Sequence, residues 1–368
     1  MILLKISLTN FKNYENTEVS FCSGLNCLTG LNGSGKTNIL DAIHYLSLTK
    51  SAFNSQDSQN IRHDSPFFSI RAEFDKEGKS SKVQCSLKMG EKKQFKMDDQ
   101  SYEKLSHHIG KIPMVLIVPN DDDLIRDSSE TRRKFFDSLI SQTDKAYLDD
   151  LIRYTHFLKQ RNSLLKLIFE TEKRDKDLLA KYDEELIALS LKISSKRSAF
   201  MKSIHHEFVS LYNFISDSGE KVDISYETKV TANDFERYFK GNLDRDIALQ
   251  RTTSGIHRDD FLFVINKKPL KKFGSQGQQK SFLISLKLAQ FDYIKEHSGT
   301  TPILLLDDIF DKLDDLRINQ LLQMIRDQKF GQIFLTDARR ERTETFLSKL
   351  KIESKIFEIS ENEVSKCD

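Results

Sequence analysis

Tryptophan is absent from the 368 residues, and only 5 prolines and 4 cysteines occur. Cys22, Cys27, Cys85 and Cys367 form no C-x-x-C pair and have no histidine pair at metal spacing nearby. A disulfide framework and a zinc site are therefore excluded, and the cysteines read as buried or free thiols of a reducing compartment. No apolar run approaches the roughly 18 residues of a membrane span. The opening MILLKISLTNFKNYE is too short in its apolar part for a signal peptide and turns polar at once. A cytoplasmic protein without a membrane partner is expected. Charge excess is lacking too: Lys plus Arg is 57, Asp plus Glu is 55, and the formal net charge is +2. Nucleic-acid contact, if any, rests on local patches rather than on a global field. There is no internal repeat. With 38% hydrophobic and 30% charged residues, the chain can bury a sizeable core over about two to three domains.

The patterns present divide the chain into three blocks. Residues 1–120 read mainly as strands (ILLKISLTNF, TEVSF, GLNCLTG, FFSIRAEF, KVQCSLKM, PMVLIV), interrupted by a helical period in KTNILDAIHYLSL. Residues 121–218 contain no proline and carry the 3.6-residue period, which predicts a helical lobe with a long helix pair. Residues 219–368 return to alternation: VDISYE and DFLFVIN as strands, a helix from KSFLISLKLAQ, then the strands TPILLLDD, QIFLT and KIFEI. Such alternation at both ends predicts one α/β core interrupted by the helical lobe.

GLNGSGKT, Gly30 to Thr37, satisfies G-x-x-x-x-G-K-[ST], following a strand candidate and opening a helix. Gly30, Gly33 and Gly35 let backbone N–H groups turn inward around phosphate oxygens, with Leu31, Asn32 and Ser34 completing the loop. Lys36 is expected on the β- and γ-phosphates of ATP, and Thr37 on Mg2+. The partner carboxylates come from ILLLDD. Asp307 is expected in the Mg2+ shell, and Asp308, with Lys36, in catalysis, orienting or deprotonating the attacking water.

A second phosphate-type stretch, Ser275-Gln276-Gly277-Gln278, also opens a helix and lies upstream of the acidic strand. It resembles the S-G-G-Q signature of ATP-binding-cassette ATPases, with Gln276 in place of the first glycine. One nucleotide does not need two such loops, but two chains do. The stretch is therefore expected to bind the γ-phosphate held by a second copy, making an ATP-dependent homodimer. Leu313-Asp314 matches the cassette loop that crosses the dimer. Thr336 and Asp337 stand where many cassette enzymes carry a histidine, and Asp308 where a glutamate is common, which suggests slow hydrolysis.

Longer stretches carry a more specific likeness. LTNFKNYE, NGSGKTNILDAIHYLSLTKS, VPNDDDLIRDSSETRRKFFD, YLDDLIRYTHFLKQRNSLLK, TTSGIHRDDF, SQGQQKSFLISLKLAQ and PILLLDDIFDKLD resemble, in order and nearly end to end, the RecF family of head-only SMC relatives. The resemblance implies an ABC-type, SMC-head-like P-loop ATPase core with an inserted helical lobe. It implies binding to single- and double-stranded DNA at gaps, work with RecO and RecR, and help in loading RecA. By analogy with SMC-type heads, Asn10, Phe11 and Lys12 border the nucleotide. Lys267, Lys268, Lys271 and Lys272; Lys79, Lys82, Lys92, Lys93 and Lys96; and Arg132, Arg133 and Lys134 are candidate phosphate contacts or ordinary solvated faces. Arg258 and Asp260 belong to a family motif without a derivable task. A transporter ATPase would carry the missing glutamate and histidine. An overcoming-lysogenization-type nuclease would need a further acidic domain after residue 368. A structural SMC head would need a far longer coiled coil.

Overall fold

Three segments lack alternation altogether: Leu25–Thr29, Ile303–Leu306 and Ile333–Asp337 are buried at every position. Strands covered on both faces read this way, as parallel strands do. In the computed structural model, which describes residues 1–172, 176–311, 313–350, 352–360 and 363–367, they lie side by side. The sheet order is Glu363–Cys367, Ser354–Ser360, Leu25–Thr29, Ile333–Asp337, Ile303–Leu306, Met114–Ile117. All neighbours are parallel except the Glu363–Cys367 edge, which closes a hairpin that the sequence patterning does not announce.

A second six-stranded sheet is antiparallel and alternates, with one face buried: Tyr14–Ser20, Ile2–Phe11, Phe67–Lys76, Lys79–Lys88, Gln94–Met97, Gln100–Ser101. The helix Lys36–Leu48 packs against strands of both sheets. Its buried positions, Lys36 and Ile39 through Ser47, run around its whole circumference, as an enclosed helix requires. Two buried polar groups inside it are satisfied locally: Asp41 pairs with Lys12 at 2.6 Å, and the His44 imidazole, pushed down to about 4 by burial, faces the Lys50 carbonyl. Cys22, Cys27 and Cys85 are free and buried, and burial pushes the Cys85 thiol up to about 12.

By contacts the chain forms two units. The first comprises residues 1–121, 211–218 and 280–368, and the second residues 122–210 and 219–279. Residues 219–279, expected with the C-terminal half of the core, thus group with the helical segment. The reason is pairing: Val222–Glu227 and Asp260–Ile265 pair with each other and with Lys268–Pro269 in a separate three-stranded sheet. Aromatic stacking seals that sheet to the helix Ser129–Thr143, with Phe136 on Phe261 at 4.2 Å.

The expected helix pair is Lys145–Thr171 with Lys176–Ser216. It is antiparallel, as the ion pairs Asp144–Lys196, Arg153–Glu185 and Arg161–Asp183 demand. Two fully buried arginines organise the second unit. Arg161 holds Asp183 at 2.6 Å and Asp246 at 2.7 Å, and Arg197 holds Asp137 at 2.9 Å and Asp259 at 3.1 Å. Buried charges persist when paired and hydrogen-bonded in this way.

Candidate functional site

The parallel strands of the first unit deliver their carboxyl ends to one edge, where open α/β sheets bind ligands. Leu25–Thr29 runs into Gly30, whose N–H donates to the Asp337 carbonyl at 3.3 Å. Ile303–Leu306 runs into Asp307, whose N–H donates to the Ile117 carbonyl at 2.9 Å. Register pairing of Thr336 with Leu28 and of Leu335 with Leu306 brings Thr336 between the phosphate-loop candidate and the two acids.

The loop Gly30–Thr37 needs its glycines. Gly35 caps the helix Lys36–Leu48 at φ 110°, and a Cβ there would lie 2.4 Å from Asn13 Nδ2 and 2.8 Å from the Tyr14 hydroxyl. Tyr14 itself donates to the Gly35 carbonyl at 3.1 Å. Gly33 has φ 85° with nothing near its missing Cβ, so it serves the turn rather than a close contact. Lys36 is 3% exposed and donates to the carbonyls of Gly30 at 2.8 Å and Leu31 at 3.0 Å.

Opposite the loop stands a hydroxyl–carboxylate relay. The Thr37 hydroxyl donates to Asp307 Oδ1 at 2.9 Å and lies 3.1 Å from Oδ2. The Thr336 hydroxyl donates to Asp307 Oδ1 at 2.8 Å and accepts the Asp308 N–H at 2.8 Å. Burial raises the Asp307 carboxyl above its ordinary range, with the Thr336 and Thr37 hydroxyls pulling it back down. Asp308 adopts φ 42°, the left-handed region that side chains other than glycine rarely enter. An open cleft of about 380 Å³ is lined by Gly33, Lys36, Thr37, Pro119 and Asp308, among others.

These residues fit a nucleoside triphosphate with Mg2+. The Ser34 hydroxyl is buried with no hydrogen-bond partner among the described residues, and the Lys36 ammonium donates to two carbonyls only, leaving donor capacity unused. Both lie where phosphate oxygens would complete them. Thr37 and Asp307 are hard oxygen donors side by side, the chemistry Mg2+ prefers.

The remaining sequence candidates separate. Ser275 and Gln278 form a reciprocal capping box on the helix Gln276–Ser298: the Ser275 hydroxyl accepts the Gln278 N–H at 3.2 Å, and Gln278 Oε1 accepts the Ser275 N–H at 2.7 Å. The Gln278 amide also reaches Glu220. Gln276 and Gly277 occupy the first turn of the same helix, and all four residues belong to the second unit. Asp314 caps the helix Asp315–Arg326 by accepting the Arg317 N–H at 3.1 Å.

Phe11 is a core residue at 0% exposure, Lys12 is paired with Asp41, and Asn10 takes φ 51° at the end of its strand. Lys93 is no surface phosphate contact: it is held by Asp57 at 2.7 Å and by the Thr49 carbonyl at 2.6 Å. Arg132 grips Asp260 through a two-pronged contact at 2.8 and 2.9 Å, which gives Asp260 a structural task, and Arg133 donates to the Asp259 carbonyl. Asp337, at the place of the cassette histidine, is locked by Arg342 and Thr343. Asn13 and Tyr14 lie inside the family stretch LTNFKNYE, and Thr336 stands at the cassette-histidine position, but neither likeness gave these side chains a task; their place at strand ends beside the loop does.

Comparison with known proteins settles the family. The chain is 47% identical over 364 residues to the DNA replication and repair protein RecF of Cytophaga hutchinsonii, spanning 99% of this chain and 96% of that protein. The chain belongs to the RecF family. The model of the RecF/RecN/SMC N-terminal domain matches residues 2–360. RecF of Flavobacterium johnsoniae is 46% identical over 98% of this chain and 100% of its own length. A solved structure of the recombination mediator protein RecF-ATP in the RecFOR pathway superposes with a TM-score of 0.89 at 29% identity, covering 100% of this chain and 98% of that one. A Pyrococcus furiosus Smc head with an extended coiled coil, bound to the C-terminal domain of ScpA, reaches a TM-score of 0.57 at 16% identity over 100% of this chain and 96% of that one, and speaks for the fold alone. The RecF-family chain thus has the α/β, ABC-type, SMC-head-like ATPase core that its motifs predict. Among its described residues no helix is long and apolar enough to cross a membrane.

Proposed function

We propose that this chain is a cytoplasmic ATP-dependent DNA-binding protein that hydrolyses ATP slowly, dimerises on ATP and acts in recombinational repair and replication at single-strand gaps. The observation that carries the reading is the junction of Thr37, Asp307 and Thr336 beside Lys36 at the strand ends. Its support from relatives is that they are named DNA replication and repair proteins, and that a solved one is named RecF-ATP in the RecFOR pathway. RecO and RecR are the expected partners, with RecA loading as the outcome.

In this reading the loop N–H groups of Gly30 to Thr37 and the Lys36 ammonium hold the phosphates. Thr37 and Asp307 hold Mg2+, which when bound neutralises charge on the phosphate oxygens. Asp308, aimed by its left-handed backbone and its N–H bond to Thr336, accepts a proton from the attacking water. Ser275 to Gln278 would meet the γ-phosphate in a second copy: the Ser275 hydroxyl accepts within its own cap, which leaves its proton free to donate. The test is to size the protein with and without ATP and Mg2+, and then with gapped DNA. Growth to a dimer with ATP alone, and tighter DNA binding in that state, is the expected result. A monomer under all conditions contradicts the dimer reading.

A further inference from the structure

The second unit contains an open cleft of about 670 Å³ that the nucleotide site does not use. Its charge balance is decided from behind. Asp259 and Asp260 line it, but both carboxylates are taken up by the interior. Asp259 takes Arg197 at 3.1 Å, the Tyr226 hydroxyl at 2.5 Å and the Thr228 hydroxyl at 2.8 Å, and Asp260 takes the Arg132 fork. On the front stand Arg245, Arg251 and Arg258, all exposed. Among the described residues, none of these three guanidinium groups makes a hydrogen bond or an ion pair with a neighbour. Lys229 stands beside them, its ammonium donating to the Tyr238 hydroxyl at 3.5 Å and lying 5.5 Å from the centroid of that exposed ring. Glu227 remains as the opposing carboxylate on the lining.

Three arginines whose guanidinium groups meet no carboxylate among the described residues converge on one concave wall, and each offers five donors in a fixed fork that matches phosphate. The Ser254 hydroxyl on the same wall is buried, with no hydrogen-bond partner among the described residues. Tyr226 and Tyr238 add aromatic rings to the lining. We propose that this cleft is a docking site for the sugar–phosphate backbone of nucleic acid, with Arg245, Arg251, Arg258 and Lys229 as the phosphate contacts. The volume exceeds a single free phosphate and suits a stretch of strand, and the contacts would position DNA without reading its sequence. The assignment rests on the DNA-binding reading above and adds where the strand lies. It also moves the contacts away from the lysine-rich stretches at 79–96 and 267–272.

The test uses the full chain, with ATP and Mg2+, and a fluorescent gapped duplex titrated at several salt concentrations. Arg251→Glu/Arg258→Glu is the principal variant, with Arg245→Gln and Arg251→Gln as milder ones that remain informative if the double variant fails to fold. Removing one phosphate-binding cation is expected to weaken binding for all sequences alike and to lower the magnitude of the salt slope by about 1, so about 2 for the double variant. ATP affinity should stay at the wild-type level. Folded variants with unchanged affinity and slope would overturn the assignment while leaving the DNA-binding reading intact. Wild-type protein that binds no DNA would sink both. A polyglutamate peptide that binds wild type more tightly than the duplex, and no longer binds the same variants, would give the cleft to an acidic protein partner instead.

Discussion

Thr37 donates its hydroxyl hydrogen bond to Asp307 at 2.9 Å across 270 residues of chain. The first belongs to the loop after one parallel strand, and the second ends another. Two carboxyl ends of one sheet are the shortest way to bring such distant residues together, and the same edge carries Lys36 and Asp308.

Asp307 supplies a pH signature. Burial raises its carboxyl, so the folded state favours the protonated form. The stability this contributes is complete below the unfolded value near pH 4 and is lost as pH rises through the raised folded value. Asp307→Asn removes that titration. The nucleotide-free variant is expected to gain on wild type in denaturant melts as pH rises above about 4, while its Mg2+-dependent ATP binding collapses. A stability difference that is flat with pH would contradict the burial argument.

Lys36→Met should remove ATP affinity and spare the fold. A charged hydrogen bond to phosphate contributes roughly 1.5–3 kcal/mol, a loss of about tenfold to 150-fold by equilibrium titration. Near wild-type affinity in a folded variant rules the lysine out as the phosphate contact.

The two loop glycines should differ. Gly33→Ala meets open space and carries the left-handed backbone cost of about 1–2 kcal/mol alone. Gly35→Ala adds a clash with Asn13 and Tyr14, so its melting temperature should fall clearly further. Equal thermal shifts would mean the Asn13–Tyr14 wall yields freely.

Asp308→Asn should bind ATP normally, slow hydrolysis by roughly 100-fold or more, and accumulate as a nucleotide-bound dimer on sizing. Unaltered turnover would place the general base elsewhere.

Ser275→Arg should leave ATP binding to each monomer intact and abolish dimerisation and hydrolysis. It also removes a helix cap, worth about 0.5–2 kcal/mol, so melting must be followed alongside. Mixed with Lys36→Met, it should regain part of the activity, since the pair can assemble one whole composite site. A heterodimer that forms yet stays inactive reduces the stretch to a cap.

Part of this molecule is legible residue by residue. Gly30 to Thr37 stand out because a backbone that cradles phosphate would need glycine and a lysine at fixed spacing. Ile303–Leu306 declares itself because a strand covered on both faces has no polar position to spare. The short strand Lys268–Pro269 and the edge Glu363–Cys367 are not legible, since two to five residues at a sheet edge carry no periodicity strong enough to separate from loop.

The sequence alone determined the glycine–lysine pattern of the loop, the acids after the buried strand, the helical period of residues 121–218 and the family likeness, because each is written in neighbouring residues. Tertiary structure alone decided the rest. It assigned residues 219–279 to the second unit through strand pairing, retired Lys93, Arg132 and Arg133 into ion pairs or carbonyl contacts, and made Thr336 the bridge between Asp307 and Asp308. The physical reason is that a charge or hydroxyl acquires its task from the partner it meets. Partners such as Arg132 and Asp260, 128 residues apart, meet only once the sheets and helices have packed.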